Sequence, residues 1–296
     1  MGYSGLARNQ ARGLSMYSRR ALLGAAVTVG LTWPLAAQPL AKLMAAGVLR
    51  VAVYRDFEPW SWDKSGAFTG IDVDLGRAIG KALGLRVEIV DFLAEEGVDD
   101  DLRNMVWRGS LVGGMPCDLM MHVPVDRKLQ LDNDRAVIFG PYCREGFAML
   151  CNRDTTDCEV LPPQLKGKRL VAELDSIPDF YLSGSFGGVL RPDVKHVPSG
   201  AAAVSAVIAG EADAAVATRA QVEHGLSLAG NDHAQERKGP LPALPSAGWN
   251  VGVAVKDDAR ELSDRIESIV ETLLANGDIA AIFARYGVHH KPPLII

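Results

Sequence analysis

The apolar run Val48–Tyr54, interrupted by Arg50 alone, predicts a strand. From Gly70 the chain reads G-I-D-V-D-L-G-R-A-I-G-K-A-L. Ile71, Val73 and Leu75 alternate with Asp72 and Asp74 like a strand, then Leu75, Ile79 and Leu83 recur at helical spacing, so a helix is expected over Val73–Leu83. A strand over Arg86–Val90 follows, then a short helix over Asp100–Trp107 with Asp100 or Asp101 as its N-cap, then a strand over Cys117–Val123.

A second, similar order of strands and helices starts near Leu165. Strands are expected at Lys168–Ala172, Val194–Val197 and Ala212–Thr218. Helices are expected from Asp175-Ser176-Ile177-Pro178 and over Ala201–Ala209, the second stopping at Gly210. Pro240-Leu-Pro-Ala-Leu-Pro245 blocks regular structure, and Trp249–Val255 is a further strand. Arg260–Tyr286 is helical, broken at Asn276-Gly277-Asp278. Strands alternating with helices in two blocks predict an α/β protein with mainly parallel sheets.

The first 37 residues read as a cleaved export signal. Arg8, Arg12, Arg19 and Arg20 precede an apolar run from Ala21 to Ala37 without acids, and Ser18-Arg19-Arg20 has the form of a twin-arginine signal. The expected location is the periplasm. The chain carries 31 basic and 36 acidic residues; removing the four arginines leaves 27 against 36, a net charge of −9. That balance argues against nucleic acid as a partner. Four cysteines in an exported chain favour disulfides, and four allow three pairings. Cys151 and Cys158 bracket a polar turn and are the preferred pair, which leaves Cys117 with Cys143. No metal-ligand spacing competes with that reading.

The stretch Gly70–Leu83, preceded by the Val48–Val53 strand and an aromatic loop, resembles the signature of the family 3 extracellular solute-binding proteins, the receptors of ABC importers. The resemblance spans Leu43 to Tyr286. It implies a two-lobed periplasmic-binding-protein fold of type II: lobe 1 from 43–144 plus 249–288, lobe 2 from 145–248, a tail over 289–296, and two crossing strands at Phe139–Ala148 and Ser246–Val253. It also implies a monomer that closes by hinge motion and docks on an ABC permease.

Ligands of open α/β sheets bind beyond the carboxyl ends of strands. By that rule and the resemblance, the candidate ligand-binding residues are Tyr54, Trp60 and Trp62 in the aromatic loop, together with Trp107, His122, Arg127, Ser176, Thr218, Arg219 and Trp249. Arg127 is the nearest match to the arginine that grips a carboxylate in amino-acid receptors, with Arg135 and Arg144 as competitors. Gly210–Ala217 resembles the family's G-x-x-D-A pattern, after which those receptors place an Asp for the ligand ammonium. Here Thr218 and Arg219 follow. The departure points away from a zwitterion and toward a small anionic, aromatic carboxylate.

Cys117-Asp-Leu-Met-Met-His-Val-Pro124 further resembles the branch associated with quinoprotein dehydrogenases, including the J components of methanol-oxidation systems. That branch implies pyrroloquinoline quinone as a ligand, with no cofactor required. It also implies an alternative role, as the accessory protein of a periplasmic quinoprotein dehydrogenase with no part in transport. Some relatives of these receptors are dehydratases, but the chain has no hydrolase triad order, metalloprotease motif or phosphate loop, and its histidines read as scattered. A non-enzyme is expected.

Overall fold

A computed structural model describes residues 39–109, 114–230, 233–244 and 246–294. The export-signal reading lies outside the described residues. Among them, no helix is long and apolar enough to cross a membrane.

The chain opens with α1 (Pro39–Ala46), β1 (Val48–Tyr54), a small hairpin of β2 (Trp62–Asp63) and β3 (Phe68–Thr69), α2 (Ile71–Leu83) and β4 (Arg86–Phe92). Then come α3 (Val98–Leu102) with a π turn to Trp107, β5 (Leu119–Pro124), α4 (Arg127–Asp132) and β6 (Ala136–Glu145). It crosses at Gly146 into β7 (Phe147–Asn152), β8 (Leu170–Glu173), α5 (Ile177–Gly184), β9 (Val194–Val197), α6 (Gly200–Ile208), β10 (Ala214–Thr218), α7 (Arg219–Ala229) and β11 (Ala234–Glu236). It returns through β12 (Trp249–Lys256) and ends in α8 (Arg260–Ala275) and α9 (Asp278–Arg285).

Two five-stranded sheets result, ordered β4-β1-β5-β12-β6 and β11-β7-β10-β8-β9. The expectation of mainly parallel sheets needs correction, because each sheet is mixed. In the first, β4, β1 and β5 pair in parallel, whereas β12 runs antiparallel to both β5 and β6. In the second, β9, β8 and β10 are parallel, and β7 is antiparallel to β10 and β11. The cause is the double crossing. Helical crossovers make parallel neighbours, but a strand entering from the other lobe inserts against that direction.

The crossings meet backbone to backbone. Gly248 has φ +94°, and a Cβ there would overlap the carbonyl of Glu145; Gly146 lies directly opposite. Arg144 fastens the crossing by donating from Nη2 to the carbonyls of Ala247 (2.8 Å) and Gly248 (3.2 Å). The C-terminal tail adds a third strap. Arg144 N donates to the Lys291 carbonyl (2.8 Å), and Asn250 and Leu294 exchange two hydrogen bonds of 2.7 and 2.9 Å.

Helix α2 starts at Ile71, two residues before the expected start. Its apparent period of two arises because both sides of the first turn are buried, Asp72 as fully as Ile71 and Val73. Gly80 lets this helix lie close on the sheet, where a Cβ would strike the Val87 side chain. Helix α3 starts at Val98, two residues before the expected Asp100, with Gly97 at the N-cap position, and Asp101 is buried inside the lobe instead of capping.

Cys151 and Cys158 form a disulfide in lobe 2 with a Cα–Cα distance of 5.6 Å. The expected Cys117–Cys143 bond is absent, and both residues are buried free thiols. Cys143 stands level with Pro124 across β12, seven residues along from Cys117. At about 3.3 Å per residue the two are on the order of 20 Å apart along the sheet, beyond reach of a bridge. Burial pushes the Cys117 thiol up to about 11. The double variant Cys151→Ala/Cys158→Ala should lose about 2 kcal/mol in urea unfolding, the closure term for so short a loop.

Candidate functional site

The loop leaving β1 folds its aromatic residues into lobe 1. Tyr54 packs against Phe92 at 4.6 Å and donates to Asp101 Oδ2 at 2.7 Å. Burial, with the Asp101 charge and hydrogen bond, holds its phenol well above the usual range. Trp60 is fully buried, with its ring 4.4 Å from His122 and 5.6 Å from Phe283. Its indole Nε1 has no hydrogen-bond partner. Trp62 sits at the junction of the lobes, 5.8 Å from the Tyr286 ring and 5.9 Å from His224 of α7.

His122 lies near the end of β5 with φ +61°, a left-handed conformation uncommon for a residue other than glycine. Such conformations persist only where the surroundings hold them, and they gather at functional sites. Here Nδ1 lies 3.0 Å from Asp72 Oδ2, and the other oxygen of Asp72 accepts from the Tyr142 hydroxyl at 2.6 Å. Burial, then the Asp72 charge, holds the Tyr142 phenol well above its ordinary value. Asp72, His122 and Tyr142 are each at most 8% exposed, so they form a satisfied internal network at the carboxyl end of the first sheet.

Across the junction, Thr218 is the N-cap of α7. Its Oγ1 accepts from Gln221 N, and the Gln221 side chain accepts in turn from Thr218 N. Thr218 therefore stands where an acid was looked for because it starts a helix. Arg219 follows, 4% exposed, and it does not point at solvent. Nη1 donates to Glu223 Oε1 at 2.7 Å and to the His289 carbonyl at 2.9 Å, while Nε lies 3.5 Å from Glu145 Oε1. That last separation is an ion-pair distance without hydrogen-bond geometry.

Glu145 is the last residue of β6 and 2% exposed. It accepts from Gly146 N at 2.8 Å and Ala220 N at 3.3 Å. Burial raises its carboxyl, and the Arg219 charge opposes that rise. The first backbone N–H of α7 donates to the Gly146 carbonyl, so the helix start is occupied by the chain's own groups. The expectation of an arginine left open for an anion is corrected accordingly: Arg219 is shared between two carboxylates, and a buried cation requires such partners.

The remaining sequence candidates separate. Trp249 begins β12 and packs 5.0 Å from Phe147, beside the crossing. Ser176 caps α5: its hydroxyl accepts from Asp179 N and donates to the Glu173 carbonyl, so it is spent locally. Asp179 further supplies that helix start with its own carboxylate. Arg127 opens α4 and is exposed. Of its two competitors, Arg135 pairs with Asp257 and lies over the Trp107 ring at 5.5 Å, whereas Arg144 belongs to the crossing. Trp62, Thr218, Arg219 and Trp249 thus lie at the junction, Tyr54, Trp60 and His122 pack inside lobe 1, Trp107 and Ser176 are engaged elsewhere, and Arg127 stands exposed on α4. Sequence reasoning missed Asp72, Tyr142, Glu145, Glu223 and His224. The i,i+4 spacing of Arg219 with Glu223 was a usable signal; nothing local marked Glu145 or the Asp72–His122 pair.

The model of the bacterial extracellular solute-binding proteins, family 3, matches residues 49–104, the span from β1 into the π turn. No curated protein matches the chain. Among solved structures, an ancestral cationic amino acid solute-binding protein is similar at TM-score 0.65 and 21% identity, covering 83% of this chain and 98% of that one. An amino acid ABC transporter substrate-binding protein from Streptococcus pneumoniae bound to L-arginine is similar at TM-score 0.61 and 17% identity, covering 83% and 96%. A histidine kinase sensor domain with similarity to periplasmic binding proteins follows at TM-score 0.58 and 22% identity, covering 83% and 98%. With these likenesses in hand, the two mixed sheets, the double crossing and the flanking helices establish the α/β two-lobed periplasmic-binding-protein fold of type II for this chain.

Proposed function

We propose that this chain is an exported solute-binding protein that holds a small, carboxylated aromatic molecule between its lobes and presents it to an ABC permease. Pyrroloquinoline quinone, planar and bearing three carboxylates, is the candidate ligand. One observation carries the ligand class: two buried donors, the indole N–H of Trp60 inside lobe 1 and the Nε–H of Arg219 at the lobe junction, have no hydrogen-bond acceptor. A buried donor without an acceptor is costly, and a ligand rich in carboxylate and quinone oxygens supplies acceptors to both. The half-buried rings of Tyr54, Phe57 and Trp62, backed by the buried Trp60, suit a flat ring. An incoming carboxylate would share Arg219 with Glu145, whose raised carboxyl can take a proton to relieve the crowding.

A second reading has its own support. Glu145 and Glu223 already hold Arg219, and the first amides of α7 are taken. A junction that fills its own anion-binding groups suits an accessory protein of a periplasmic quinoprotein dehydrogenase, which needs no ligand. Titration of the protein by tryptophan fluorescence separates the two. Saturable quenching by pyrroloquinoline quinone supports the receptor. No response to that or any other carboxylated aromatic supports the accessory role.

A further inference from the structure

We propose that His224 is a pH-sensitive clasp between the lobes, holding α7 against lobe 1 in acid and releasing it as the pH rises. The imidazole projects from α7 across the junction. Its Nε2 lies 3.1 Å from Glu58 Oε1, in the loop after β1, and its Nδ1 lies 2.6 Å from the Tyr286 carbonyl at the end of α9. Both neighbours are acceptors. A neutral imidazole carries one N–H and satisfies only one of them, whereas the imidazolium donates to both. The clasp is therefore complete only when the ring is charged.

The surrounding groups bear this out from every side. Burial disfavours the charged ring, but the Glu58 hydrogen bond, the Tyr286 carbonyl and the Glu58 charge outweigh it, and Lys64 in the β2–β3 loop opposes them weakly. The net result lifts the ring above its ordinary value of 6.5. On its own helix, Glu223 is committed to Arg219 and to His289 N. The rings of Trp62 and Tyr286 flank the imidazole at 5.9 and 6.5 Å. One turn on, Ser227 fits against Gly287, where a Cβ would overlap the serine side chain, so any opening of the junction also separates this contact.

The sign follows from linkage. The ring binds its proton more tightly in the clasped form than when solvated, so closure takes up a proton. The contribution is complete below the solvated value and is lost as pH rises through the higher clasped value. Each pH unit between the two values changes the closed-to-open ratio about tenfold.

Small-angle scattering on the ligand-free chain between about pH 5.5 and 8.5 reads the clasp without reference to any ligand, so it can fail or succeed independently of the proposed function. The radius of gyration is expected to grow with pH in the wild type and to lose that dependence in His224→Gln. In parallel, the His224 ring titration followed by NMR should move down by about one pH unit in Glu58→Gln, a change at a half-exposed carboxylate that leaves the core intact. A flat wild-type radius, a slope that survives in His224→Gln, or a His224 midpoint unmoved in Glu58→Gln would each overturn the clasp.

Discussion

Replacing Arg219 with methionine is expected to cost about 3–5 kcal/mol of folding stability, read as a lower urea midpoint. The side chains of Arg219 and Glu145 are 5% and 0% exposed. Without the guanidinium, Glu145 is a buried carboxylate with two amide donors and no counter-charge, and Glu223 loses its partner as well. The double variant Arg219→Met/Glu145→Gln removes both charges together and should recover most of the loss, because an uncharged pair of similar volume avoids the desolvation cost. A single variant with unchanged stability and lost ligand affinity would assign Arg219 to ligand alone.

Trp60→Ala should be nearly as severe, at about 3–5 kcal/mol, as expected for emptying a buried aromatic site. Its ring joins the β1 loop, His122 and Phe283 of α9, so it links the start of lobe 1 to the chain's last helix. Trp60→Phe keeps most of that packing and removes the unpartnered indole N–H; it should cost far less stability and still weaken a ligand that accepts from Nε1. The two variants together separate the packing role of the ring from its polar one. Near-UV circular dichroism and urea unfolding give the first quantity, and ligand titration gives the second.

Much of the fold was legible because hydrophobic period carries it. Val48–Tyr54 and Val194–Val197 fall where their β-branched and apolar residues place them, and α8 and α9 break where Asn276 and Gly277 interrupt the helical pattern. The short polar-started helices were harder. In sequence Thr218 looks like a missing acid, although T-x-x-Q at Thr218–Gln221 is a helix-start signal in its own right. Sheet direction was not legible either, since β7 and β12 look like any other strand until the crossing shows which lobe each came from. The site depended on pairings far apart in the chain. His122 with Asp72 is separated by 50 residues, Arg219 with Glu145 by 74, and His224 with Glu58 by 166. Local pattern holds no record of such partners, so histidines that look scattered in sequence prove to be paired in space.

The receptor reading is tested most directly by native mass spectrometry of the protein taken from its own periplasm. The account predicts a bound mass corresponding to an acidic aromatic carboxylate, pyrroloquinoline quinone first among them, lost when Trp60→Phe is examined in the same way. Co-purification with arginine, glutamine or another zwitterionic amino acid would contradict it.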